Sequence, residues 1–256
     1  VAWCWKAGGA AVTNNDGSVA SQVSANTEAG FSICTWTGTG SNLTIGHGLG
    51  VKPSAHITKA RTGGSVGCDW FVYFSVLGAT TNLRLNGDSA AGTTGQSDLY
   101  NDTEPTSSVI TIGDSECINV SGGTYVTYCW TEIPGYSKFG KYTGNGSSDG
   151  VYVHLGFRPA WIMWKASSSG GSNSYQWMIV DNKRQTSNPM YYRLLANSAD
   201  VEITNPATTA YVDFVSNGFK IRGTGSLING NGVTYIYMAF AEQPGTTPFD
   251  TLTNAR

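Results

Sequence analysis

The sequence predicts an all-β fold made of two antiparallel β-sandwiches in tandem, related by internal duplication. Three observations carry this. Short runs of alternating aromatic and β-branched residues recur along the chain, separated by Gly-, Asn- and Ser-rich breaks, which is the pattern of half-buried strands. Glycine fills 33 of 256 positions, and Asp, Glu, Lys and Arg make up only 12%, about half the usual quarter. The second half also repeats the first, at an offset of 106 residues for Pro53 and Pro159, 107 for Trp70 and Trp177, and 110 for Tyr125 and Tyr235. A repeat of this length is too long for a solenoid and suits a small domain.

The elements follow in chain order. Val1-Ala2-Trp3-Cys4-Trp5 alternates like Val126–Trp130 and Ile236–Phe240, the segments that close the two repeats. Residues 1–29 are therefore expected to hold the end strand of a preceding unit and a linker, and the native polypeptide is expected to extend upstream. Residues 6–29 are rich in Gly, Ala, Ser and Asn and show no core pattern. The first sandwich is expected over residues 30–134, with strands at 31–37, 54–59, 70–74, 82–85 and 109–112. The second is expected over 135–244, with strands at 152–155, 161–165, 176–181, 191–195, 211–214 and 219–222. Asn86-Gly87 and Asn229-Gly230-Asn231-Gly232 are expected to supply the positive φ of tight hairpin turns. Residues 131–137 read as a short stiff connector, and 245–256 as a C-terminal tail. In the closing strands, Val126, Tyr128 and Trp130 are expected to face the core, as are Ile236, Met238 and Phe240. Their alternates Tyr125, Thr127 and Cys129 are expected to be half covered. No segment of helical length carries a 3.6-residue period.

Composition excludes several classes of function. With 15 Lys and Arg against 17 Asp and Glu, the net charge is −2, so binding to nucleic acid by phosphate neutralisation is disfavoured. No apolar run approaches the 18 or so residues that a membrane-spanning helix needs. Five cysteines and three histidines without a C-x-x-C pair argue against structural zinc and against a full disulfide framework. Low charge leaves sheet edges with little electrostatic protection, which favours a homo-oligomer or a tandem stack.

Candidate chemistry is sparse. Glycoside hydrolysis needs two carboxylates flanking the scissile bond, and Asp114-Ser115-Glu116 is the nearest arrangement; it reads better as a hairpin turn. Glu132 and Glu242 recur beside Pro134 and Pro244 as connector residues. Gly146-Ser147-Ser148-Asp149-Gly150 matches a nucleophile elbow by letter but lacks the following helix and the later His. His47 and His154 read as turn supports, and His56 as a strand residue. Cys4 and Cys129 occupy a position filled by Ala239 in the other repeat, so a small packed group is expected there. Asn14–Gly17 and Asn145–Gly150 carry oxygens that calcium accepts, without EF-hand spacing. Calcium is the one ion left open, and no other cofactor is expected. Glycan contact needs aromatic surfaces with planar polar side chains. The densest such mixture runs from Asp181 to Tyr192, so Asp181, Lys183, Arg184, Tyr191 and Tyr192 are the candidate glycan contacts.

Four segments of the second repeat carry a family resemblance. They are Gly135–Gly146, Gly156–Trp161, Ser216–Gly225 and Thr234–Pro244, and Ala29–Ile33 and His47–Pro53 match them from the first. The chain resembles a module common in proteins of marine bacteriophages, often found beside laminin-G or concanavalin-A-like lectin domains. The resemblance implies jelly-roll or lectin-like sandwiches in a non-enzymatic virion structural or tail-fibre protein. It also implies a virion or extracellular location, and self-association, with a trimer as the family-style expectation. Other virion proteins and host-surface polysaccharide are the implied partners. The alternatives are a carbohydrate-binding or depolymerase-like domain, and a secreted bacterial adhesin or filament subunit.

Overall fold

The computed structural model describes residues 4–63, 68–92, 97–168, 175–205 and 210–242. It is all-β with several antiparallel sheets, and the chain divides into two compact units. The first comprises Val1–Leu85 with Gly92–Glu132, the second Asn86–Ala91 with Ile133–Arg256.

In the first unit the strands are β1 (Val12–Asn14), β2 (Ser21–Asn26), β3 (Phe31–Thr37), β4 (Leu43–Gly46), β5 (Ala55–Thr62), β6 (Phe71–Phe74), β7 (Leu83–Arg84), β8 (Val109–Ile112) and β9 (Thr124–Trp130). A single helical turn, α1 (Ser97–Tyr100), precedes β8. One sheet has the order β1-β2-β3-β9-β5-β6-β7, and β4 pairs with β8 in a second. The core gathers Cys34, Trp36, Ile45, Phe71, Tyr73, Ile110, Ile112, Tyr125 and Cys129. Trp36 stacks on Tyr125 at 4.5 Å, and the Tyr125 hydroxyl accepts Val120 N at 2.7 Å. Buried Asn119 donates from Nδ2 to Ser41 O and Gly113 O, both at 2.7 Å, and its Oδ1 accepts Thr39 N at 2.9 Å. Lys59 donates to Cys68 O with its ammonium 5.9 Å from the centre of the Trp70 ring.

The second unit contains β10 (Ser137–Thr143), β11 (Tyr152–His154), β12 (Trp161–Ala166), β13 (Met178–Asp181), β14 (Leu194–Leu195), β15 (Val212–Val215), β16 (Gly218–Ile221) and β17 (Thr234–Phe240), with one helical turn, α2 (Ser226–Asn229). Its sheets have the orders β10-β17-β12-β13-β14 and β11-β16-β15. The core includes Tyr142, Phe157, Trp164, Val180, Phe214, Phe219, Tyr235 and Tyr237. Tyr142 stacks on Tyr235 at 5.0 Å, and the Tyr235 hydroxyl accepts Gly230 N at 2.8 Å. Asn229 donates from Nδ2 to Ser147 O at 2.8 Å and Gly223 O at 2.9 Å, and its Oδ1 accepts Asn145 N at 2.9 Å. Lys165 donates to Tyr175 O and lies 5.4 Å from the centre of the Trp177 ring. Burial lowers the Lys165 pKa to about 8.

Three expectations change. Residues 6–29 are not a coreless linker. They supply β1 and β2, and β2 pairs with β3 from Gln22 to Asn26, with Ser21 and Val23 buried. The polar sequence hid the strand because β3 supplies the main-chain partners, while the Ser21 hydroxyl satisfies itself on Gly46 O at 2.7 Å. In β17 Ile236, Met238 and Phe240 are buried as expected, together with their alternates, but in β9 the better-covered face is the other one. Tyr125, Thr127 and Cys129 are fully buried, whereas Val126 and Tyr128 are only partly covered. Small Thr and Cys side chains let a second layer approach, while Tyr128 stacks on Trp70 at 6.4 Å; Trp130 is buried as expected, edge-on to Trp5 at 5.8 Å. Finally, Ser137 begins β10 and does not end a connector. The expected leading strand falls partly on residues 1–3, and the tail 245–256 wholly, outside the described residues.

Candidate functional site

The segment after β13 is positioned by its own side chains. Asp181 is buried and accepts Lys183 N at 3.0 Å and Arg184 N at 2.9 Å on Oδ1. Its Oδ2 accepts Arg184 Nε at 2.5 Å. Arg184, whose side chain is 5% exposed, also donates to Glu202 at 2.7 Å and to Ile179 O at 2.9 Å. Burial would raise the Asp181 pKa, but the bonds from Arg184 and Lys183 hold it below the usual carboxylate value. Gln185 Oε1 accepts the amides of Tyr191 and Tyr192 at 2.7 and 2.9 Å, and Asn188 exchanges two bonds with Phe214 at 2.9 Å each. Asp181 and Arg184 thus fold the loop around a closed ion pair. Lys183 lies outside, paired with Glu242. Tyr191 and Tyr192 are half-buried, edge-on to each other at 5.1 Å.

The other candidates are distributed. His47 accepts Leu49 N on Nδ1 at 3.2 Å, so its Nε2 donates to Thr106 O at 3.3 Å, a turn support. Asn14 and Asp16 close a local turn on each other, and Asp149 pairs with Lys220 at 2.8 Å. Among the described residues no three acidic, His or Cys side chains converge as metal ligands, and no helix is long and apolar enough to cross a membrane. Cys129 is fully buried and Cys4 is exposed.

Three features escaped the sequence reading. Cys68 and Cys117 form a disulfide across 49 residues, a single bridge for which spacing gives no signal. His56 is buried, stacked on Tyr73 at 4.8 Å and edge-on to Tyr100 at 5.2 Å. Neither of its ring nitrogens nor the Tyr100 hydroxyl has a hydrogen-bond partner, and burial pulls the His56 pKa down to about 3. Beside them the Tyr73 hydroxyl donates to Glu104 at 2.5 Å, which Lys52 also meets at 2.6 Å. The third feature is the outer face of the β11-β16-β15 sheet. Tyr152 and His154 stand exposed there around buried Val153, with Lys220 and Asp213 in the same row as Tyr152. The outward alternation in Tyr-Val-His and Phe-Lys-Ile was the available signal.

Residues 1–244 match a domain of unknown function, DUF7483. The chain belongs to this family. No curated protein and no solved structure matches it.

Proposed function

We propose that this DUF7483 chain is a non-enzymatic section of a phage virion appendage, such as a tail fibre, built from two copies of one lectin-like β-sandwich unit. The observation carrying this reading is that equivalent polar side chains do the same structural work in each unit. Asn119 and Asn229 each bond a carbonyl six residues before them and a carbonyl of the loop after β3 or β10. Tyr125 and Tyr235 each cap the amide five residues before them. Lys59 and Lys165 each cover a Trp ring while bonding a carbonyl. Strand pairing agrees in register, since Ala55 faces Trp130 and Phe74 where Trp161 faces Phe240 and Asp181. Buried polar groups are costly unless satisfied, and such repeated satisfaction suits a stiff module multiplied along a rod. In multiple copies, weak glycan contacts would gain by effective concentration.

Mass spectrometry of purified virions tests the reading, with peptides of this chain expected in the particle. Secretion into the medium without virion association would favour the adhesin or filament alternative. Release of reducing sugar from polysaccharide would favour the depolymerase alternative. Light scattering is expected to give a trimer.

A further inference from the structure

From the outer face of the β11-β16-β15 sheet we infer a binding site for neutral hexose units of a glycan, with Tyr152 as its stacking platform. This rests on the adhesive part of the reading above. Virion association tests the structural part, so the two can fail separately.

Tyr152 stands on the edge strand β11 and is 47% exposed. Its hydroxyl reaches diagonally to Asn217 O at 3.3 Å, beyond Gly218, which is the cross-strand partner of His154. Gly218 is in register with His154 and is buried against the backbone of β11. A side chain there would meet Val153 O at 2.0 Å from its Cβ. The hydroxyl is tethered to the neighbouring turn while the residue stays half exposed, and an exposed, tethered aromatic face is what the C–H side of a pyranose stacks on.

The surrounding polar groups suit hydroxyls. The phenol proton goes to Asn217 O, so His154 Nδ1–H, 3.3 Å from the phenol oxygen, is the donor of that contact. This tautomer leaves Nε2 as an acceptor. Lys220 is in register with Tyr152 and pairs with Asp149 at 2.8 Å, and Arg222 pairs with Asp213 at 2.7 Å. Donors and acceptors thus sit beside the ring as two compensated ion pairs, while Lys138 is committed to His154 O at 3.1 Å. Cancelled charge with retained hydrogen-bonding capacity favours an uncharged polyhydroxyl ligand over a sulfated or uronic one.

The test is calorimetric titration of the full chain with glucose, mannose and galactose hexasaccharides, alongside their sulfated counterparts. At least one neutral oligomer is expected to bind, with little change on adding about 0.5 M salt, which screens charge–charge attraction. Tyr152→Ala is expected to weaken binding about tenfold, and Tyr152→Phe, which keeps the ring but loses the bond to Asn217 O, to restore part of it. The side chain is exposed, so an unchanged melting temperature checks that the variant folds. The inference is overturned if no neutral oligomer binds at about 10 mM, a concentration that reveals even millimolar affinities. It also fails if only sulfated sugars bind, or if Tyr192→Ala abolishes binding that Tyr152→Ala leaves intact.

Discussion

Replacing His56 by isoleucine should remove an acid-sensitive point in the first unit. His56 lies on β5 and is packed by Tyr73 from β6, by Tyr100 from α1, and across the sheet by Cys129 of β9. His47 and Glu104 are the charges it feels. Its folded pKa is about 3 against an ordinary 6.5, so the folded state holds it neutral while the unfolded chain protonates it. A depressed histidine keeps its full contribution to stability above pH 6.5 and loses it as pH falls toward 3. At pH 5 the penalty is RT ln(1 + 10^1.5), about 2 kcal/mol, and at pH 7.5 it is close to zero. Since pH 5 lies well above the folded pKa, the unfolded value alone sets this figure. A loss of that size should lower the melting temperature of the unit by roughly 6–10 °C. His56→Ile introduces the residue that stands at the matching register position, where Ile162 faces Val180. It also removes two unsatisfied ring nitrogens. Scanning calorimetry from pH 7.5 to 5 should show wild type losing that many degrees more than the variant. The burial of His47 lowers its pKa as well, so the variant retains a shallower slope. Parallel curves for the two proteins would refute the argument.

Three further outcomes are expected. Cys68→Ser/Cys117→Ser frees a 49-residue loop and should cost about 4 kcal/mol of chain-entropy stabilisation, readable in urea unfolding, with dithiothreitol reproducing it in wild type. Asn119→Ala and Asn229→Ala each strip partners from buried carbonyls and should each cost about 2–4 kcal/mol by the same assay; equal losses would fit equal roles. Asp181→Ala takes one carboxylate from the buried Arg184 guanidinium, which keeps Glu202, and should cost about 2 kcal/mol. By contrast, Lys183→Ala breaks only an exposed pair and should shift the melting temperature by no more than about 2 °C.

Strands that alternate bulky apolar and small polar residues were legible in the sequence. Phe31–Thr37 and Val109–Ile112 coincide with β3 and β8. Strands held by main-chain pairing were not, since Ser21–Asn26 has one β-branched residue and gains its place from β3. In β10, Gly140 broke the pattern for a reason visible only in three dimensions: a Cβ there would lie 2.5 Å from the Tyr237 hydroxyl. Face assignment failed where size was taken for burial, because the inner layer of β9 is built from Thr127 and Cys129, which permit close approach. The loop 181–192 was legible as a concentration of polar and aromatic groups. That Asp181 and Arg184 spend their charge on each other depends on their burial, which sequence spacing does not encode.

Under the proposed duplication, the positions where the units differ say more about binding than those they share. Thr44 pairs with Thr111 between buried Ile110 and Ile112, as Tyr152 pairs with Lys220 between buried Phe219 and Ile221. In the first unit this edge is occupied. Ser18 N donates to Thr44 Oγ1 at 2.8 Å, Thr44 N donates to Ser18 Oγ at 2.9 Å, and Val19 bridges Ile45. The covering residues belong to the segment that leads into the first unit. The second unit follows β9 after only six residues, 131–136, too few to lay such a segment along β11. A common frame with different lead-in lengths would then leave this face covered in the first unit and open in the second. Exposure of Tyr152 follows from the connector length, and its chemistry from the aromatic residue that occupies the uncovered place.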